Sequence, residues 1–448
     1  MEKQSDIPPL DPLRFRAILS FVAVGALLSI VSTIVTRRFL YADSSYFLLR
    51  MWESGSFFIA NPARWFGFVA SQWLPVAAMK LGSRDPSTIA TLFGINLWLN
   101  PVLGVLGAWW ASGRSRETTL VVMLGVLFLF QSTYVVLDNE SNVVFWLAAI
   151  LFIVTVRRDY SYWALPLLLL TAFTHEVAAL TFVPVLAFLL VGRERYVRYY
   201  GAHRFWSLIV GLALVIGVVS WRALGPHAGP NRTYFIEGAL SLGGSPALVL
   251  ATLAFGSLVA QALWPEVRRL SVLFWTSSSV LLVLPFAFPG VLWPFYHYRA
   301  RVLNAALALL LFAYLHGRAH WRLPSMSSLS ARRVLFLAAV VFAFQGRLTW
   351  EWARHVDLFR HELARTEGLM TFPRDAPFSA DRSRQFSWSW TSPVRSIVFQ
   401  AMWDGDVRTI MLNADTTIWQ PFNPRVPGAL PNLSGLGVTY APQLDSAP

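Results

Sequence analysis

Cysteine is absent altogether and charge is scarce, with 14% of the 448 residues being Asp, Glu, Lys or Arg. The first absence excludes a disulfide framework, a thiolate metal site and a cysteine nucleophile. The second, beside 55% hydrophobic residues and a mean hydropathy of +0.50, excludes a soluble globular domain, whose surface needs far more charge. Also missing are a phosphate-binding Walker loop, a Gly-x-Gly-x-x-Gly turn and a nucleophile elbow. No internal repeat or low-complexity tract breaks the pattern. The chain is basic, with a net charge of +13, but its cations are scattered between apolar segments and form no stripe. That distribution points to membrane topology and lipid headgroups, and no nucleic acid is expected as a partner.

What is present is a succession of apolar runs near 17–36, 90–111, 118–136, 142–156, 161–174, 177–191, 205–223, 246–264, 270–289, 302–316 and 334–346, or about eleven spans. The start through Arg16 is polar and basic, and 17–36 is long enough to stay in the bilayer, so no cleavable signal peptide is expected. A break at Thr174-His175-Glu176 must divide 161–191, because a helix of about 31 residues would overshoot a hydrocarbon core of ~30 Å.

Segment 64–81 decides the topology, since counting it as a span reverses everything downstream. With 64–81 at the interface, the inside loops collect roughly seventeen Lys and Arg and the short outside loops about ten, as the positive-inside rule requires. The N-terminus is then cytoplasmic, and loop 37–89, with two interfacial helices, lies outside. After about 347 the hydrophobic periodicity fades and Pro, Asp, Asn, Ser and Trp accumulate. The expected architecture is an all-α polytopic membrane domain, 1–346, followed by a small extracytoplasmic domain, 347–448. Trp350, Trp352, Trp388, Trp390, Trp403 and Trp419 are candidates for an interfacial belt, a core or a sugar-stacking platform.

The unusual polar residues all fall on the expected outer face. Asp43 leads an amphipathic run, Ser44 to Phe58, suited to lying on a membrane surface. An acid there is a candidate base, or simply the N-cap of the helix. Asp138 and Glu140 crowd a minimal loop, either as a solvated hairpin tip or as a site that holds an acceptor or a divalent cation. His175 and Glu176 interrupt an apolar stretch, where ionisable groups usually face a cavity or one another. His297, Arg299 and Arg301 enter a late helix after Pro294. They either anchor the interface or clamp a phosphate, and Arg222 and Arg232 stand as further candidates.

This arrangement resembles the GT-C class of integral-membrane glycosyltransferases. The matching features are an acid just after the first helix (Asp43), two interfacial helices, and a Pro-containing apolar segment ending at Leu81-Gly82. A second outer-loop acid (Asp138 or Glu140), an Arg-bearing outer loop (His297, Arg299, Arg301) and an extracytoplasmic C-terminal domain complete the match. Many members carry a paired acid directly after the first, whereas Ser44 and Ser45 follow Asp43 here. The resemblance implies transfer of a sugar, with inversion, from a polyprenyl-phosphate donor to a glycan, glycolipid or protein acceptor at the outer face of a bacterial inner membrane. Asp43 would be the base. Asp138, Glu140 and Glu176 would position the acceptor or a metal, with Mg or Mn as the one cofactor such a site admits. Arg299, Arg301, His297, His175, Arg222 and Arg232 would hold the donor phosphate. Two alternatives remain: an O-antigen-type polymerase or ligase using a diphosphate-linked donor, and a lipid or solute transporter.

Overall fold

The computed structural model describes residues 12–41, 43–111, 119, 122–127, 130, 164–175, 177–226, 232, 236, 246–264, 267–287, 328–365, 368–372, 392–403, 407, 409–413 and 430–440. Its elements in chain order are α1 (Pro12–Val35), α2 (Asp43–Ser54), α3 (Trp65–Lys80), α4 (Pro86–Ala111), α5 (Ala164–Ala172), α6 (Val177–Val191) and α7 (Arg193–Tyr200). There follow α8 (Ala202–Leu224), α9 (Pro246–Leu263), α10 (Arg268–Ala287), α11 (Ser328–Arg365), β1 (Gly368–Phe372), α12 (Ser392–Trp403) and β2 (Thr409–Asn413). Four stretches among the described residues are long and apolar enough to cross a membrane: Pro12–Val35, Pro86–Gly107, Ala202–Leu224 and Val334–His361. The protein is a helical membrane protein, as its composition requires. Large apolar side chains such as Leu13, Leu28 and Val35 on α1 and Leu214 on α8 are exposed, which in a chain this apolar marks lipid-facing surface.

The axis of the fold is the pairing of α1 with α11. Phe21 packs edge-on against Phe342 at 6.2 Å, Ser32 meets Thr349 at 3.3 Å, and Trp352 Nε1 donates to Thr36 O at 2.8 Å. The sequence separations of the last two pairs are 317 and 316, so the contacts climb both helices together and the two run parallel. With 38 residues, α11 is about 57 Å long, more than a bilayer needs. It therefore continues past 346, and the domain boundary expected at 347 falls inside a continuous helix.

The first interfacial helix is also shorter and more enclosed than its pattern suggests. It covers Asp43–Ser54, and Leu48, Leu49, Met51 and Trp52 are buried inside the protein, where α2 packs against α12. An apolar stripe read as membrane-facing is thus covered by the chain's own C-terminal region. That region also carries the two strands seen among the described residues. β1 and β2 pair in parallel from Gly368 opposite Thr409 to Phe372 opposite Asn413, with α12 as the crossover packed on β2. Trp352 is core and Trp350 is exposed; Trp388, Trp390 and Trp419 lie outside the described residues.

α3 packs along α4 through a proline defect. Pro75 has no N–H and its ring crowds the preceding turn, which frees the Ala70 carbonyl and the Leu74 amide. Asn96 of α4 fills both: Nδ2 donates to Ala70 O at 2.7 Å and Oδ1 accepts from Leu74 N at 2.7 Å, while Asn100 Nδ2 also donates to Ala70 O at 2.6 Å.

Candidate functional site

The segment that delivers Asp43 is held from three directions. α1 ends at Val35, and Arg37 adopts φ 58°, a left-handed conformation that costs a non-glycine residue about 1–2 kcal/mol. Such conformations persist where the surroundings over-determine them, and they concentrate at functional sites. Here the side chain supplies the constraint. Arg37 Nη2 donates to Ser87 Oγ at 2.8 Å, and Nη1 donates to Thr91 Oγ1 at 3.1 Å and Ser87 O at 3.3 Å, tying the turn to the start of α4. Burial lowers the Arg37 pKa, partly countered by the Asp85 carboxylate. Asp85 caps α4 by accepting from Thr88 N at 2.8 Å and Thr88 Oγ1 at 2.6 Å, and the Thr88 hydroxyl is the main reason its own pKa is depressed.

Arg38 turns the other way, into the protein, and is fully buried. Its Nη2 donates to Gln345 Oε1 at 2.6 Å and to Thr33 Oγ1 at 2.9 Å, while Nη1 reaches Thr349 Oγ1 at 3.1 Å and Gln345 O at 3.3 Å. Gln345 in turn donates through Nε2 to Phe130 O. The third hold is aromatic: Tyr41 packs edge-on to Trp352 at 6.3 Å. Two adjacent arginines thus fasten one turn to α4 and to α11, and α2 starts from it at Asp43.

A second junction forms where the break between α5 and α6 meets α3. Phe173 O accepts from Phe66 N at 3.1 Å and Gly67 N at 3.4 Å, two of the amides that a helix start leaves without partners in its own helix. Gly67 is required by this approach, since a Cβ there would stand 2.8 Å from Thr174 O. The guanidinium of Arg222, at the end of α8, lies over the Phe173 ring at 4.3 Å, and His175, two residues on, is buried. His175 and Arg222 are therefore brought to one place. A chain of contacts connects that place to the helix of Asp43. Phe47, one turn into α2, packs on Phe68 at 5.2 Å, and Gln72 of α3 clamps Phe58 by accepting from its N–H at 2.8 Å and donating to its carbonyl at 2.9 Å. These contacts link the ends of α5 and α8 and the start of α3 to α2, the helix that Asp43 begins.

Comparison with known proteins returns no matching family model, no matching curated protein and no matching solved structure.

Of the remaining expected site residues, Arg232 is exposed. Asp138, Glu140, Glu176, His297, Arg299 and Arg301 lie outside the described residues, as does the side chain of Asp43. Among the described residues no cluster of three or more His, Asp or Glu stands close enough to hold a metal. The structure adds cations that the sequence reading did not single out. Arg395 of α12 is fully buried 3.4 Å from His355 Nε2, between the rings of Trp352 at 6.0 Å and Phe359 at 5.8 Å. Burial brings its pKa down to about 10, against an opposing pull from Tyr41. A signal existed: an arginine inside Pro393-Val394-Arg395-Ser396-Ile397-Val398 sits where a charge is costly unless its surroundings were built for it. Arg38 gave a subtler sign: a pair of arginines on the expected outer side runs against the positive-inside rule.

Proposed function

We propose that this protein is a membrane glycosyltransferase that moves a sugar from a polyprenyl-phosphate donor to a glycan, glycolipid or protein acceptor at the extracytoplasmic face of a bacterial inner membrane. The observation that carries this reading is the gathering of α2, the start of α3, His175 and Arg222 at one end of the bundle. A transferase for a lipid-linked sugar needs its acid and its cations at one membrane surface, because the donor keeps its tail in the bilayer and its phosphate at the interface.

Two further features support it. Parallel α1 and α11 require an odd number of crossings between them. The nine spans expected between them satisfy that parity, and counting α3 as another would break it. The outer face of α8 carries an apolar groove of about 480 Å³ running from Val210 past Gly217 to Trp221 and Arg222. A groove that is apolar along its length and cationic at its end fits an amphiphile with an anionic head.

In this reading Asp43 accepts the proton of the acceptor hydroxyl as its oxygen attacks the anomeric carbon. The bond from that carbon to the phosphate oxygen breaks on the opposite side, which inverts the centre and releases the polyprenyl phosphate. Arg299, Arg301, His297, His175 and Arg222 offset the charge that grows on the leaving phosphate. Asp138, Glu140 and Glu176 orient the acceptor. The test is full-length protein in proteoliposomes with a panel of short-chain polyprenyl-phosphate hexoses and pentoses and an envelope extract as acceptor, reading release of polyprenyl phosphate. Asp43→Asn should insert and unfold like the parent yet lose release by two or more orders of magnitude, the usual worth of a general base. Undiminished release in that variant rules out the assigned base.

A further inference from the structure

At the opposite end of α8 from Arg222, the chain makes an elbow whose chemistry the transferase reading does not use. α7 is eight residues long and breaks from α8 at Gly201, where φ is +83°. A Cβ at Gly201 would meet nothing within 4 Å, so the residue is needed for its backbone conformation and not for space. The inner side of the elbow is fixed by rings: Tyr196 stacks on Phe205 at 6.1 Å with planes 8° apart and on Tyr200 at 6.2 Å, and all three are buried. The outer side presents a cleft of about 470 Å³ lined by Arg193, Glu194, Val197, Arg198 and Trp206. Arg193, Glu194 and Arg198 are exposed, and Tyr199 and Trp206 keep 42% and 47% of their surface open.

We infer that this cleft binds the headgroup of an anionic phospholipid of the phosphatidylglycerol type in the leaflet at the α7 end. Charge favours it: residues 193–204 hold four arginines against the single acid Glu194, a net of +3. Position favours it as well, because α8 is long and apolar enough to cross a membrane and begins at Ala202, so the elbow lies where a bilayer surface must be. Half-exposed Tyr199 and Trp206 at that depth are the aromatic residues that favour headgroup level. The arginines offer planar donor forks to the phosphodiester oxygens. Val197 and the Trp206 indole offer apolar surface to the first methylenes of the chains. Glu194, in the same cleft, accepts from a hydroxyl-bearing headgroup and disfavours a second negative charge, which selects a glycerol head over a bare phosphate.

The test uses the full chain, delipidated in neutral detergent and titrated with dioctanoylphosphatidylglycerol, dioctanoylphosphatidylcholine or inorganic phosphate, reading the rise in thermal unfolding midpoint. The parent should respond to phosphatidylglycerol at the lowest concentration. The double variant R193Q/R198Q, altered only at exposed positions, should need roughly 25-fold more, because each basic residue beside an anionic lipid surface is worth about fivefold. R84Q, an exposed arginine just before α4 and absent from the lining of the cleft, should behave as the parent. Equal half-saturation in parent and double variant overturns the inference. An equal response to phosphatidylcholine would mean that chains alone are recognised, and an equal response to inorganic phosphate would mean that a free anion is; either result also overturns it. None of these readouts depends on transferase activity, so the site stands or falls apart from the proposed reaction.

Discussion

Replacing Arg38 by Met tests whether the turn before Asp43 is held as described. The substitution keeps much of the side-chain volume and removes a fully buried cation with donor bonds to Gln345 Oε1 at 2.6 Å, Thr33 Oγ1 at 2.9 Å, Thr349 Oγ1 at 3.1 Å and Gln345 O at 3.3 Å. Counting each bond to a charged group at about 1.5–3 kcal/mol gives a loss too large for most proteins to survive. That sum is wrong for two reasons. Removing the guanidinium also removes its desolvation cost, which is several kcal/mol. Most of its acceptors also keep other partners: Thr33 Oγ1 still donates to Ser29 O at 2.7 Å, and Thr349 Oγ1 still meets Ser32 Oγ. The largest single loss is the 2.6 Å bond to Gln345 Oε1, so the expected destabilisation is that of one buried hydrogen bond to a charged group, about 1–3 kcal/mol. Chemical unfolding of the full chain in mixed micelles measures it, with Gln345→Leu and the double variant completing a cycle. A coupling of about 1–3 kcal/mol is expected, because once Arg38 is gone Gln345 has less to lose. Additivity within about 0.5 kcal/mol, or an Arg38→Met protein as stable as the parent, would refute the account.

Other outcomes follow from single contacts. Gly67→Ala should destabilise the α3 junction by about 1–3 kcal/mol, because its Cβ would press a backbone carbonyl that cannot swing away, whereas Gly217→Ala, inside a helix with nothing within 4 Å, should hold or raise the unfolding midpoint. Gly217→Leu, which fills the groove on α8, should raise the KM for a polyprenyl-phosphate donor while leaving the midpoint within a degree or two; an unchanged KM would remove the groove from the donor's path. Asn96→Leu should cost about 1–3 kcal/mol by stranding the Leu74 amide, while the Ala70 carbonyl keeps its bond from Asn100. Asp85 has a folded pKa below its ordinary 3.8, so its contribution is fully present above that value and is lost as pH falls through the folded pKa. Asp85→Asn should therefore be less stable than the parent at pH 6, with the gap closing as pH falls below the ordinary 3.8 and through the folded pKa; a gap that persists in strong acid would contradict the assignment.

Much of the membrane architecture was legible because it is written in one variable, the length of apolar runs between polar breaks. The four long described spans fall where hydropathy puts them, and the break at Thr174-His175 was demanded by helix length alone. Arg222 lying over Phe173, two residues before His175, had no sign in the sequence, where nothing marked Phe173 as its partner. What failed to show was of a different kind. The apolar stripe of α2 fits lipid and protein equally well, and only the fold reveals that α12 covers it. The continuation of α11 past residue 346 was hidden because its last turns are polar, so hydropathy ended before the helix did. Asn96 mending the Pro75 defect, and Arg38 reaching Gln345 across 307 residues, are pairings between distant side chains that one chain's pattern cannot encode.

The parallel union of α1 and α11 also governs how the protein is made. The ribosome delivers the first spanning helix and its trailing Arg38 long before Gln345 and Thr349, which follow by 307 and 311 residues. Throughout that interval the nascent chain carries an arginine at the membrane edge with Thr33 in place but Gln345 and Thr349 still to come. Assembly must therefore finish by bringing the last long helix back to the first. A chain truncated before residue 345 would leave Arg38 as a standing signal of incompleteness for membrane quality control.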